Sequence, residues 1–231
     1  MTRTGTVQEL AAPLGSVDVG QLVFTRGAAH LSLGVDGSME DLYRARFEGK
    51  VPDIRVDGGT VTVKYHMGLR PPRGEIVLSG RVPWAIRARM GMSHVVADLE
   101  GLELRGLEIS AGASQVEVKL PRPKDEVRIR IGGGASDVEL IRPAGVPVGV
   151  HIGGGVSQLA VDEFRLGSAG GKIDWRSAAY EQVTGRYDVE IGTLGTLEYS
   201  PMALLLIDDP RSPFFGEGLP EDDKNNIAPR L

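Results

Sequence analysis

Cysteine is absent from the 231-residue sequence. That absence excludes a disulfide framework, a thiolate nucleophile and every Cys-based zinc or iron–sulfur site. Aromatic residues are scarce at 5%, too few for the stacking platforms of a sugar-binding groove. No long apolar run is present: the longest, Met202 to Ile207, is far short of the ~20 residues a bilayer span needs. The opening MTRTGTVQEL has no basic stretch followed by an apolar one, so it is not a secretory leader. These features predict a soluble, cytoplasmic chain. A basic excess is also missing. Net charge is −5, and residues 1–90 hold 12 Lys/Arg against 9 Asp/Glu, thinly spread, which argues against nucleic-acid binding.

What is abundant is glycine, 32 residues, and it recurs at a fixed period rather than every third position. Four segments superimpose: Arg89–Leu99 (RMGMSHVVADL), Glu108–Val118 (EISAGASQVEV), Arg130–Leu140 (RIGGGASDVEL) and His151–Val161 (HIGGGVSQLAV). Their serines Ser93, Ser114, Ser136 and Ser157 lie 21, 22 and 21 residues apart. Glu190–Tyr199 (EIGTLGTLEY) is a degenerate fifth copy, and Phe24–Leu33 and Val56–Val63 echo the pattern more weakly. A fixed period of this length marks a repeat architecture.

Within each unit, strict alternation precedes and follows the glycine cluster. Val127, Ile129 and Ile131 alternate with Arg128 and Arg130; Val138 and Leu140 flank Glu139. Period-two patterning in β-branched residues predicts two strands per unit, each burying one face. Gly132–Gly134 and Gly153–Gly155 fall where the chain turns a corner, and positive φ at these glycines would permit the turn. A unit of about 21 residues cannot close a core alone, but stacked units can. The reading is an all-β protein with residues 84–200 stacked as rungs of a flattened β-solenoid, Tyr187–Tyr199 being a further strand pair. A meandering β-sandwich is the competing fold, and the regular serine spacing favours the solenoid. Residues 1–83 read as an atypical N-terminal β cap continuous with the array. Ala178–Gln182 reads as one helical turn. Residues 201–231, with six acidic groups against three basic ones, read as a loosely held acidic tail in which Phe214 and Phe215 could dock on the body.

The order Trp84, then DLEGLELRGLEI (Asp98–Ile109), then GASQVEVKLP (Gly112–Pro121) resembles the toast-rack domain. This is the β-helical domain of cell-wall-antibiotic-response proteins of the LiaF type and of adhesin-like β-helix relatives. Gly20–Pro83 resembles the N-terminal toast-rack segment, so the resemblance extends over Gly20–Tyr199. It implies a right-handed, toast-rack-like β-solenoid and a non-enzymatic scaffold in an envelope-stress response. It also implies a protein partner such as a membrane sensor kinase or stress protein. Many relatives carry membrane helices before the domain; this sequence shows none. The resemblance supplies no catalytic residues.

The chemistry-bearing candidates are few. Gly167–Lys172 (GSAGGK) imitates a phosphate loop, but Leu166 and Ile173 stand where Gly and Ser/Thr are required. His30, His66, His94 and His151 show no short ligand spacing, and His94 falls in an outward slot with Gln115, Asp137 and Gln158. Ser93 and His94 would point to opposite faces of a strand, which excludes a Ser–His nucleophile pair. The serines read as small turn residues. Glu117, Asp137 and Glu139 present outward carboxylates, with Glu117 and Glu139 one rung apart; solvation or Arg128, Arg130 and Lys119 would have to offset their repulsion. No catalytic, cofactor or metal site is expected, and no cofactor. Three roles remain: an interaction module, a β-helix that self-assembles end to end, or a carbohydrate-binding β-helix.

Overall fold

The structure, a computed structural model, describes residues 7–66, 73–132, 135–153, 158–161, 164–166, 172–192 and 203–207. Alternating residues become strands nearly throughout. The first seven are β1 (Val7–Pro13), β2 (Gly20–Arg26), β3 (Ala28–Asp36), β4 (Asp41–Glu48), β5 (Asp53–Asp57), β6 (Thr60–Lys64) and β7 (Arg73–Ser79). The repetitive middle supplies β8 (Trp84–Ala88), β9 (Met92–Asp98), β10 (Leu104–Ile109), β11 (Ala113–Lys119), β12 (Glu126–Ile131) and β13 (Ala135–Ile141). There follow β14 (Val148–Ile152), β15 (Gln158–Val161), β16 (Phe164–Leu166), β17 (Ile173–Arg176), β18 (Arg186–Ile191) and β19 (Ala203–Ile207). One 3-10 turn among the described residues, Tyr180–Gln182, lies inside the predicted helical stretch.

The strands form two mixed sheets. Sheet A runs β1-β4-β7-β3-β9-β11-β13-β19-β15-β16, and sheet B runs β17-β14-β18-β12-β10-β8-β2-β6-β5. From β8 to β13 the chain alternates between sheets, and each strand pairs in parallel with the strand two places on. The register is the one the serines predict: Ser93 is opposite Ser114, and Ser114 opposite Ser136. Ser157 lies outside the described residues. The weak echo at Phe24–Leu33 joins the same series, since Ala29 stands opposite Ser93.

Chain order and spatial order part at both ends. β18 pairs with β12 on one side and β14 on the other, and β19 sits between β13 and β15. The start of the fifth copy, in β18, is therefore inserted between the third and fourth copies, not added beyond them; residues 193–199, read as its second strand, lie outside the described residues, and the strand that accompanies β18 is β19. The N-terminal half shows the same plan in reverse: β2 and β3 lie inside β6 and β7, against β8 and β9. Residues 203–207, assigned by their acidic surroundings to the tail, instead form a strand paired with β13 and β15. Phe214 and Phe215 lie outside the described residues.

The sheets pack face to face. Phe24, Ile86, Leu107 and Ile109 of sheet B meet Leu33, Val95, Val116 and Val118 of sheet A around an apolar gap of about 20 Å³, room for a single water at most. Burial of each such side chain contributes about 1.5–3 kcal/mol. Glycine makes room for aromatic rings on neighbouring strands: a Cβ at Gly20 would lie 2.5 Å from the Trp84 ring, and one at Gly74 would lie 2.4 Å from Phe47.

Two buried tyrosines differ in their hydroxyls. Tyr187 donates to the Pro121 carbonyl, whereas the Tyr65 hydroxyl has no partner among the described residues; burial pushes both phenols up. Tyr187→Phe strands a buried carbonyl and is expected to cost about 1–3 kcal/mol, while Tyr65→Phe, which removes an unsatisfied group, should be neutral or stabilising. Chemical denaturation of the two variants checks the contrast.

Candidate functional site

The outer face of sheet B is built from the polar positions of its alternating strands. Across β8, β10, β12, β18, β14 and β17 one row reads Arg87, Glu108, Arg130, Glu190, His151, Asp174. Charge sign alternates along it from Arg87 to Glu190. Arg130 Nε lies 2.9 Å from Glu190 Oε2 and Arg87 Nε 3.7 Å from Glu108 Oε2. His151 lies between Asp188 at 3.0 Å and Asp174 at 3.4 Å. In adjacent rows Arg128 meets Asp188 at 3.3 Å and Arg186 meets Glu126 at 2.7 Å. Tyr180 caps this end, covering Gly149, with the guanidinium of Arg186 4.9 Å from its ring centre. These charges pair with one another across the face.

Sheet A presents a different outer face. Its centre carries Glu117 and Glu139 on adjacent strands. Burial, then the neighbouring Glu117 carboxylate, push the Glu139 carboxyl up. None of the expected counter-charges neutralises this pair: Arg128 and Arg130 belong to the opposite sheet, and Lys119 turns to Asp98 at 3.8 Å. A raised carboxyl binds more protons folded than unfolded, so its contribution to stability falls as pH rises past the ordinary glutamate range. Glu139→Gln should therefore be more stable than the parent at neutral pH, and the gap should close by about pH 4. Melting curves across that interval test this.

Nearer the sheet's end, β1, β4 and β7 form a shallow depression of about 360 Å³ lined by Glu9, Ala11, Arg44, Arg46, Glu75 and Val77, with Leu10 and Ala45. Register puts Glu9 opposite Arg46, and Arg46 opposite Glu75. Arg44 is held by Asp41 at 2.7 Å. Glu9, Arg46 and Glu75 make no ion pair among the described residues.

The histidines do not converge. His66 approaches Asp53 at 3.2 Å, His151 belongs to the ladder, and His30 and His94 stack with ring centres 4.5 Å apart. Among the described residues no three His, Asp or Glu side chains are placed to hold a metal. His94 is exposed, but strand alternation is not the reason. His30, His94 and Gln115 have φ of 54°, 54° and 53°, so these three corners turn on a left-handed non-glycine residue. Gly91 and Gly132 serve close approach instead, a Cβ on either lying 3.1 Å from the carbonyl oxygen of Gly112 and Ser110 respectively; Gly133, Gly134, Gly154 and Gly155 lie outside the described residues. No sequence signal marked these His and Gln positions as left-handed. Of the phosphate-loop imitation only Lys172 lies within the described residues.

A family model for the N-terminal domain of toast_rack, DUF2154, matches residues 16–141, more than half of the chain. The chain belongs to the Toast_rack_N family. The match takes in β2 through β13, including the depression's β4 and β7. The toast-rack chain is also similar to a crystal structure of a candidate cell adhesion protein from Clostridium sporogenes ATCC 15579. Identity is 16% and the TM-score 0.63, covering 89% of this chain and 100% of that one; at this identity the likeness concerns the fold. No curated protein matches the toast-rack chain. No helix among the described residues is long and apolar enough to cross a membrane.

Proposed function

We propose that this toast-rack protein is a non-enzymatic interaction module in an envelope- or cell-wall-stress response. In this reading it works at the cytoplasmic side of the membrane and binds a membrane sensor kinase or stress protein. Its paired strands wind as a flattened right-handed β-solenoid, a reading supported by the parallel register of Ser93, Ser114 and Ser136. One observation supports the choice of an interaction role: Glu9, Arg46 and Glu75 around the depression on sheet A make no ion pair among the described residues, in contrast to the paired charges on β12, β18 and β14 of sheet B. Self-assembly end to end is disfavoured by the sheet ends. The end strands β1, β5, β16 and β17 all run antiparallel to their neighbours, so the parallel array is not continued at its ends.

Affinity capture from solubilised membranes of the native host, read by mass spectrometry, tests the proposal with the full chain and with a chain ending at Ile207. Recovery of a membrane sensor or stress protein supports the module, and its loss without residues 208–231 places the contact there. Recovery of the protein alone, as high-order assemblies, transfers the function to a structural β-helix.

A further inference from the structure

Sheets that end in open strands invite further pairing, and proteins guard such edges with charge, proline or brevity. Three of the four edges here are guarded. β16 has three residues and β17 four, and β5 reads DIRVD, with charge at three of its five positions. β1 differs. It has seven residues, VQELAAP, with Glu9 as its one charged group, and the bulge at Ala12/Pro13 disturbs only its last step. Nothing pairs with its outer edge among the described residues.

Two further features say what would fit there. On the outer face the row Glu75, Arg46, Glu9 alternates in sign and stops on an acid. On the inner face Leu10 and Ala12 are only partly buried where the core runs out. A strand added beside β1 would continue both rows, with a cation opposite Glu9 and aliphatic side chains over Leu10 and Ala12. Main-chain hydrogen bonds would give it affinity, and alternate side chains selectivity.

We propose that the free edge of β1 is a docking site for an extended segment of a partner protein that alternates aliphatic residues with outward Lys or Arg. This deepens the interaction-module reading and rests on it. A second copy of this chain is a poorer occupant, because β1 brings a carboxylate and no cation to meet Glu9.

The probe is a blocked peptide as long as β1, alternating Val with Thr and carrying one Lys at its centre. Its comparisons are the same peptide with Glu for Lys, and the Lys peptide N-methylated at alternate residues. Hydrogen exchange of the full-length protein should show slowed β1 amides with the Lys peptide. The Lys peptide should bind about two- to five-fold tighter than the Glu peptide, the range of a cross-strand charge pair. Glu9→Lys, at an exposed position, should invert that preference, and Glu9→Gln should abolish it. N-methylation should remove binding. The proposal is overturned if neither peptide protects β1, if Glu9→Lys leaves the preference unchanged, or if the N-methylated peptide binds as well. It is also overturned if light scattering shows a dimer that Glu9→Lys alters, for then the edge serves a second copy. If neither peptide protects β1 while the full-length protein still captures a stress partner from membranes, the module reading survives and the β1 site does not.

Discussion

Gly20→Val is expected to cost about 3 kcal/mol or more, the upper range for overpacking a core, lowering the melting temperature by roughly 6–12 °C for a chain of this size. Gly20 is the register partner of Trp84 on the neighbouring strand. A Cβ there would lie 2.5–2.6 Å from three atoms of the indole, and Trp84 is fully buried. The ring cannot swing aside, because its Nε1–H donates to the Ser79 carbonyl at 2.9 Å. The Gly20 amide is likewise committed, donating to Pro83 at 2.8 Å. Trp84→Leu alone should destabilise through lost volume, but the double variant should be less unstable than the two losses added. Simple additivity would mean that the indole is not what excludes the side chain.

Val138→Asp should be more severe, about 4 kcal/mol or above, because it places an unpaired ionisable group among apolar neighbours. Val138 is 2% exposed and lies opposite Val116 and Leu204 in register. The carboxyl would escape part of the penalty by remaining protonated, so the loss should shrink as pH is lowered. One residue further, Glu139 already carries charge on the outer face, and Glu139→Asp should change stability little. Unchanged melting of Val138→Asp would reverse the assignment of faces throughout the repeat.

That assignment was legible in the sequence because alternation and serine spacing are local. Val127, Ile129 and Ile131 all lie within the core, and the serine columns are in register. The spatial order of the copies was not legible, because the fourth and fifth copies share one hydrophobic pattern and either could follow the third. The choice lies in the polar positions. Arg128 and Arg130 face Asp188 and Glu190 on β18, whereas β14 offers Gly149 and His151 at the equivalent places. Complementary charge thus selects the inserted strand, an effect weak per pair but repeated. The depression at β1, β4 and β7 was hidden for another reason: Glu9, Arg46 and Glu75 are far apart in sequence and carry no motif. Only antiparallel pairing across two strands brings them together.

The inserted position of β18 and β19 has a consequence for biogenesis. In an ordinary repeat array each unit docks on the one before it as the chain leaves the ribosome, and the array lengthens from one end. Here the place next to β12 and β13 must be kept for strands that emerge after β14 to β17 have been made. Correct closure therefore waits for residue 207, and the intervening stretch has to be held as a loop while it waits, a non-local closure of the kind that slows folding. Nascent chains stalled before β18 should be protease-sensitive from β14 onward, and should become resistant over one short increment of length rather than unit by unit.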